Sequence, residues 1–180
     1  MQPVSLPFHD LASRHPGVTN ALGSTYTEAA SVCLDRHHVS PVDISIDQNG
    51  IMQHATAYWA RTDERTRGAW ANEIDATEAG AYGIALAVVE ISVRMVALRR
   101  AETRTGADYY VGPPDAAADD LENWLRLEVS GLDGGDEYAV RQRLREKIRQ
   151  ALRGVSNLPA LAAVIGFRAK FVALAPAEAA

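Results

Sequence analysis

Two short apolar runs, each containing one acidic residue, constrain the fold of this chain more than any other feature. The first, residues 106–111, includes Asp108, and the second, residues 125–131, includes Glu128. Their length and their apolar and aromatic composition are typical of β-strands. If residues 113–123 form the loop between them, the two runs fold back on each other. Partners across an antiparallel pair keep a constant sum of residue numbers, so Asp108 is predicted to lie opposite Glu128.

Alternation along the second run separates its side chains into two faces. It places Arg126, Glu128 and Ser130 on one face, and Leu127 and Val129 on the other. Two carboxylates that converge at the rim of a sheet match the oxygen ligands that a hard divalent cation prefers. The sequence therefore predicts a metal site between the two strands.

Composition bounds the class of protein. The chain has 180 residues, of which 47% are hydrophobic and 23% charged, and a formal net charge of −5. These values are typical of a globular domain and do not indicate wholesale binding to nucleic acid or membrane. The single Cys33 is predicted to be a buried, inert thiol. Since we find no signal-peptide pattern and no uninterrupted apolar run of the ~18 residues that span a membrane, we expect a cytoplasmic bacterial protein without a membrane segment.

The N-terminal part is predicted to contain an arm, a helix and a hairpin. Residues 1–17 contain three prolines and little periodicity, so we expect an irregular arm. Apolar residues at helical spacing predict an amphipathic helix from about 18 to 38. The Asn49-Gly50 pair, between alternating apolar runs in residues 42–59, is a strong hairpin signal.

The rest of the chain predicts helices around a meander. Helices are expected at about 65–71, 74–91 and 137–153, and strands at about 93–102, 107–112, 124–130 and within 158–175. The last segment is either one bent strand or two, broken near Gly166. This order predicts an α+β fold, close to α/β, in which a mixed sheet with a meander is flanked by helices. We expect a single domain over 18–180, with the helix and hairpin at 18–61 and a core at 62–180.

The order of elements and the two acids resemble the restriction-endonuclease-like, or PD-(D/E)xK, nuclease superfamily. There, a helix precedes a meander with Asp on its second strand and Glu-x-Lys on its third, and another helix follows. The resemblance covers about residues 74–175, and the chain is also similar to uncharacterised bacterial proteins with Gly-x-Asp-Tyr and Leu-Glu-Val-Ser-Gly strands. It implies metal-dependent phosphodiester hydrolysis, with Mg²⁺ or Mn²⁺ held by Asp108 and Glu128. A helix glutamate often completes such sites, and Glu78 is the first candidate, followed by Glu90.

Position 130 departs from the superfamily pattern, because Ser130 stands where the lysine is expected. That lysine orients the attacking water and stabilises the charge that develops on the phosphate. A serine hydroxyl can form a hydrogen bond there but supplies no positive charge. Some relatives supply a lysine from the following helix, and Lys147 or Arg143 is the candidate for this role. The resemblance thus implies Asp108, Glu128, Ser130 and Lys147 as catalytic residues.

The last predicted helix is strongly basic in an otherwise acidic protein. Residues 138–153 contain six basic residues and one acid, a net charge of +5. Such a helix beside the acidic pair would contact the phosphates of a nucleic acid. The candidate contacts are Arg141, Arg143, Arg145 and Arg149. The alternative is a solvated basic face, balanced by the acidic residues Asp115, Asp119, Asp120 and Glu122.

Each candidate acid also has a structural interpretation. Asp108 could cap the turn that precedes it, and Glu78 could be a stabilising acid in the first turn of its helix. Glu128 could form a salt bridge to Arg126 or to an arginine of the next helix, which would avoid the cost of an unpaired buried charge.

Two further functions are compatible with the sequence. One is a catalytically inactive module of the nuclease fold that binds nucleic acid or a partner protein from the same operon. The other is a homodimeric scaffold that pairs through residues 42–59. A cationic nitrogen that reaches the space between the two acids and Ser130 would favour catalysis. A salt bridge that seals this space would favour the inactive module.

Overall fold

One mixed sheet organises the residues that the computed structural model describes, which are 4–103, 105–115, 123–153 and 157–177. Within them the strands are β1 (Val4–Ser5), β2 (Val42–Gln48), β3 (Ile51–Ala57), β4 (Val96–Arg100), β5 (Tyr109–Gly112), β6 (Leu125–Leu132), β7 (Ala160–Gly166) and β8 (Phe171–Pro176). The helices are α1 (Leu11–Arg14), α2 (Asn20–Asp35), α3 (Glu64–Ala69), α4 (Glu73–Val93) and α5 (Glu137–Leu152). The predicted elements are therefore present, with most bounds shifted by a few residues.

The strands lie in the order β1-β3-β2-β8-β7-β6-β5-β4. β4, β5 and β6 form the predicted antiparallel meander. α5 then crosses over to β7, which runs parallel to β6, and β8 returns antiparallel beside it. The segment 158–175 thus contains two strands, separated after Gly166. These pairings confirm an α+β fold with a mixed, helix-flanked sheet.

Helices cover the two faces of the sheet differently. α4 packs across β4, β6 and β7, whereas α5 packs against β6, β7 and β8. Val129 and Ile165 join the main hydrophobic core under α2 and α4. Val164 and Phe171 form a smaller cluster with Val140 of α5. Because neighbouring residues of one strand point to opposite faces, α4 and α5 lie on opposite sides of β6 and β7.

The β2–β3 hairpin turns at the predicted Asn-Gly pair. Asn49 and Gly50 both have positive φ angles, 50° and 89°, as a two-residue hairpin turn requires. On β3 and just after it, Ala55 and Trp59 are buried in the core, whereas Ile51 is 66% exposed. Most of the apolar residues on this strand, which a homodimer through residues 42–59 would use as its contact surface, are therefore internal.

The N-terminal segment differs from the irregular arm that the sequence predicts. β1 pairs in parallel with β3, and a short helix follows at α1. Leu6, Phe8 and Leu11 are at most 2% exposed and belong to the main core. Leu6 and Phe8 stand at strand spacing on either side of Pro7, but the run is too short to predict an element, so the tertiary contacts show that the segment is packed into the fold.

Two apolar features near the centre of the fold are buried. Cys33 is fully buried, and this burial raises the pKa of its thiol to about 12, as expected for an inert cysteine. Among the described residues, α4 alone has the length and hydropathy of a membrane span, with a mean hydropathy of 1.3. Since 61% of that stretch is buried inside the protein, its packing is consistent with the core helix of a soluble protein.

The crossing of α2 and α4 depends on Gly80. A Cβ atom at this position would lie 2.9 Å from the backbone nitrogen of Ala30, closer than real Cβ contacts. We therefore expect Gly80→Ala to lower the free energy of unfolding by about 1–3 kcal/mol, because the two backbones must separate. Gly68→Ala in α3 is the matched control, since nothing lies within 4 Å of its Cβ position. Urea unfolding of both variants checks the prediction, and equal midpoints would contradict it.

Candidate active site between α4 and α5

Strand pairing places the two predicted acids side by side. In the β5–β6 pair, Tyr109 lies opposite Leu127 and Val111 opposite Leu125. Continuing this register by one residue brings Asp108 opposite Glu128, as the constant sum of residue numbers predicts. β5 begins only after Asp108, whereas β6 continues to Leu132. The second half of β6 therefore has no β5 partner along one edge.

A cavity of about 710 Å³ opens at this uncovered edge, between α4 on one face and α5 on the other. It brings together the six candidates Glu78, Asp108, Glu128, Ser130, Arg143 and Lys147. Tyr82, Val129 and Asp133 also line it. The acids, the hydroxyl group and the two α5 cations predicted from the sequence therefore share one cavity.

Glu128 is buried and paired with a lysine from α5. The residue is 5% exposed, and its Oε1 lies 2.7 Å from Nζ of Lys147. Burial raises the pKa of the Glu128 carboxyl, and the charge of Asp108 raises it further, whereas the hydrogen bond from Lys147 opposes both effects. The sequence suggested Arg126 or an arginine as the structural partner, and this was wrong. Arg126 instead donates to backbone carbonyl groups, including that of Ala151.

Asp108 is held by donors on both carboxylate oxygens. Tyr82 donates its hydroxyl proton to Oδ1 at 2.8 Å, and the backbone N–H of Val129 donates to Oδ2 at 2.8 Å. Arg100 Nη2 lies 3.6 Å from Oδ1. Asp108 thus connects to α4 and to the free edge of β6 rather than capping the turn before it.

An arginine from α5 donates a hydrogen bond to Ser130. Arg143 Nε donates to Ser130 Oγ at 3.0 Å, and its Nη1 donates to Glu146 at 3.1 Å. Arg143 and Lys147 are four residues apart, so they project from the same face of the helix. α5 therefore provides the positive charge that β6 lacks at position 130.

The other arginines predicted to contact nucleic acid do not line the cavity. Arg141 pairs with Asp47 and lies 4.7 Å from the ring centroid of Phe171, on the β8 side of α5. Arg145 and Arg149 are exposed, and each is displaced by roughly 200° around the helix from Arg143 and Lys147, respectively. The basic helix is therefore divided, and only two of its cations face the cavity.

The remaining candidate acids lie apart from Asp108 and Glu128. Glu78 is exposed at the edge of the cavity. Glu90 lies outside it and accepts hydrogen bonds from Arg14 at 2.9 Å and His15 at 3.2 Å. Asp115 is exposed, and the other acidic residues proposed to balance the basic helix, at 119, 120 and 122, lie outside the described residues.

Sequence reasoning missed Tyr82 and Arg100. Tyr82 follows Glu78 by four residues, so helical spacing places it on the same face of α4 as that candidate. Arg100 lies opposite Tyr109 in the β4–β5 pair, immediately beside Asp108. The helical period and the meander register could have identified both residues.

Asp108 and Glu128 could supply two ligands to a divalent cation. Mg²⁺ commonly uses one or two carboxylates and takes its remaining ligands from water and substrate phosphates. The burial that raises the pKa of Glu128 also makes its negative charge costly, and a cation would offset that cost. No group of three or more His, Cys, Asp or Glu residues is arranged to hold a metal within the described ranges. Glu78 is therefore not assembled as a third ligand.

Comparisons with known proteins give no further assignment for this cavity, since no family model, curated protein or solved structure matches the chain. Its function must be inferred from its own geometry.

Removing Lys147 tests the charge balance of the site. We expect Lys147→Met to lower the free energy of unfolding by about 3–5 kcal/mol near neutral pH, because Glu128 becomes an uncompensated buried charge. A carboxyl whose folded pKa is raised binds protons more tightly when folded, so this loss should grow as the pH rises above the reference value of 4.5. Urea unfolding at pH 5 and pH 8 measures it.

Two further variants control this experiment. Adding Glu128→Gln to Lys147→Met should restore most of the stability, because the buried charge is removed. Arg145→Met, on the exposed side of α5, should change stability by less than about 0.5 kcal/mol. A loss that is equal at both pH values and is not rescued by Glu128→Gln would show that Lys147 acts only through packing.

Proposed function

We propose that this protein is a divalent-metal-dependent phosphodiester hydrolase with a nuclease-like core. The main support is that α5 brings Lys147 to Glu128 in a cavity that also contains Asp108 and Ser130. The order α4, meander and α5 is the order of elements on which the restriction-endonuclease-like resemblance is based, and it supports the proposal. In this proposal, Lys147 takes the role of the lysine that the superfamily pattern expects at position 130.

The charge of the cavity supports a role for a metal ion. Five acids line it, namely Glu73, Glu78, Asp108, Glu128 and Asp133, against the two bases Arg143 and Lys147. Asp133 is neutralised by Arg36, at 3.0 Å, and also contacts His37 at 2.9 Å. The lining remains net acidic, so a phosphate group would be repelled unless a cation is bound between the carboxylates.

Each side chain of the site has a distinct role in the proposed reaction. Asp108 and Glu128 would hold Mg²⁺ or Mn²⁺, which supplies an activated water and neutralises phosphate charge. Lys147 places an ammonium group beside Glu128, where it can stabilise charge that develops on the phosphate. Because a guanidinium group cannot accept a hydrogen bond, Ser130 accepts from Arg143 and retains its own proton to donate. Arg143 and Ser130 would therefore orient the phosphate.

A nucleic acid is the proposed substrate. Arg145 and Arg149 extend the positive charge of α5 beyond the cavity, and both side chains are exposed. Because they lie on the other side of α5 from Arg143 and Lys147, they could contact backbone phosphates of a nucleic acid that passes over the helix, away from the scissile one. A cytoplasmic location is part of the same proposal.

The second candidate is an inactive module of the same fold. It is favoured by the contacts of the two acids, since Lys147 satisfies Glu128 while Tyr82 and Val129 satisfy Asp108. Such a module would bind nucleic acid or a partner protein from the same operon. A homodimer through the β2–β3 hairpin has weaker support, because most of its apolar face is buried in the core.

Metal binding separates these two functions. We expect calorimetric titration to detect Mn²⁺ and Mg²⁺ binding to the wild type, and no detectable binding to Asp108→Asn/Glu128→Gln, which keeps side-chain volume but removes both charges. The exposed acid Glu64 of α3 provides the control, and Glu64→Ala should bind as the wild type does. Cleavage of DNA and RNA oligonucleotides should follow the same pattern. Absence of binding, with and without an oligonucleotide, would exclude the hydrolase and favour the inactive module.

The outer arginines can be tested separately from catalysis. We expect Arg145→Gln/Arg149→Gln to weaken binding of a fluorescent oligonucleotide and to reduce the slope of log K against log salt by about 1.4–1.8, because two phosphate contacts are lost. Fluorescence anisotropy with Ca²⁺ in place of Mg²⁺ avoids cleavage. Arg65→Gln, in α3, is a control for charge alone. An unchanged slope would mean that this face of α5 does not contact nucleic acid.

A further inference from the structure

Tyr82 connects a metal-site carboxylate to an arginine on the neighbouring strand. Its hydroxyl group lies 2.8 Å from Asp108 Oδ1 and 3.0 Å from Arg100 Nη2. A guanidinium group has no acceptor, so Tyr82 must accept from Arg100. The single hydroxyl proton of Tyr82 is then directed at Asp108.

Aromatic rings fix the arginine that orients this proton. The guanidinium carbon of Arg100 lies 4.4 Å from the ring centroid of Tyr82 and 4.8 Å from that of Tyr109. Both distances are within the range of cation–π contacts. Tyr109 is in turn fixed by a 2.7 Å hydrogen bond between its hydroxyl group and that of Tyr26 in α2. The position of Arg100 is thus set by α2, α4 and β5 together.

We infer that Tyr82 and Arg100 are positioning residues, which hold the Asp108 carboxylate beside Glu128 in the orientation that binds a metal ion. The role in metal binding rests on the proposed function, whereas the positioning itself does not. Each Asp108 oxygen accepts one hydrogen bond, from Tyr82 or from Val129, and retains a further lone pair. Outer contacts of this kind orient metal ligands, and their loss typically weakens metal affinity by about 10–100-fold.

Tyr82→Phe tests the inference, and Tyr110→Phe is its matched control. Both variants remove one tyrosine hydroxyl group, but that of Tyr110, on β5, donates to Glu102 rather than contacting Asp108 or Arg100. Because Asp108 accepts from the N–H of Val129, release of Asp108 should accelerate hydrogen exchange at Val129. We expect Tyr82→Phe to exchange this amide at least ~10-fold faster and to bind Mn²⁺ about 10-fold more weakly. Tyr110→Phe should change neither, after correction for global stability.

The outcomes distinguish this inference from the proposed function. Unchanged exchange at Val129 in Tyr82→Phe would overturn the inference, as would equal acceleration in Tyr110→Phe. Faster exchange with unaltered Mn²⁺ affinity would overturn the role in metal binding. If the wild type binds no Mn²⁺ but Tyr82→Phe still releases Val129, Asp108 positioning is supported and the proposed hydrolase fails. Arg100→Gln should reproduce the Tyr82→Phe result, and the double variant should be little worse than either, because the two residues act in one chain.

Discussion

The unequal lengths of β5 and β6 determine the chemistry of this site. β5 begins after Asp108, so the edge of β6 beyond Leu127 has no strand to pair with. A buried backbone N–H without a partner is costly, and the side chain of Asp108 supplies the missing acceptor for Val129. The same truncation leaves space between α4 and α5 for a cavity. The acid that completes the sheet edge is therefore also the acid that faces the site.

The two acids are stabilised by cations from different elements of the fold. Lys147 approaches Glu128 from α5, whereas Arg100 approaches Asp108 from β4 and acts mainly through Tyr82. Two neighbouring carboxylates repel each other, and each is stabilised by its own cation. The two acids are therefore paired within the protein even without a metal ion, so the same geometry is compatible with both proposed functions, the metal-dependent hydrolase and the inactive module. The two functions differ in whether a metal ion can compete with these internal contacts.

Local patterns in the sequence predicted the strand pairing and the register of Asp108 with Glu128, whereas the candidacy of Lys147 came from the resemblance to the nuclease superfamily. The pairing and the register depend on alternation and on a turn, which are short-range. Helical spacing alone separates Arg145 and Arg149 from Arg143 and Lys147, but which of these pairs faces the cavity depends on the rotation of α5 about its axis. Contact of Val140 with the sheet sets that rotation. The packed N-terminal segment and the pairing of Glu90 with Arg14 likewise depend on contacts between residues distant in sequence.

The packing of α5 on β6 accounts for a small residue at position 130. Strand alternation points residue 130 to the same face as Glu128, and α5 covers that face. A lysine there would compete with Arg143 and Lys147 for the same buried volume and would add a third cation. Serine leaves room for Arg143 Nε at 3.0 Å and keeps a hydroxyl group in the cavity. The cations of the cavity are thus supplied by the helix, and the small residue on the strand leaves room for them.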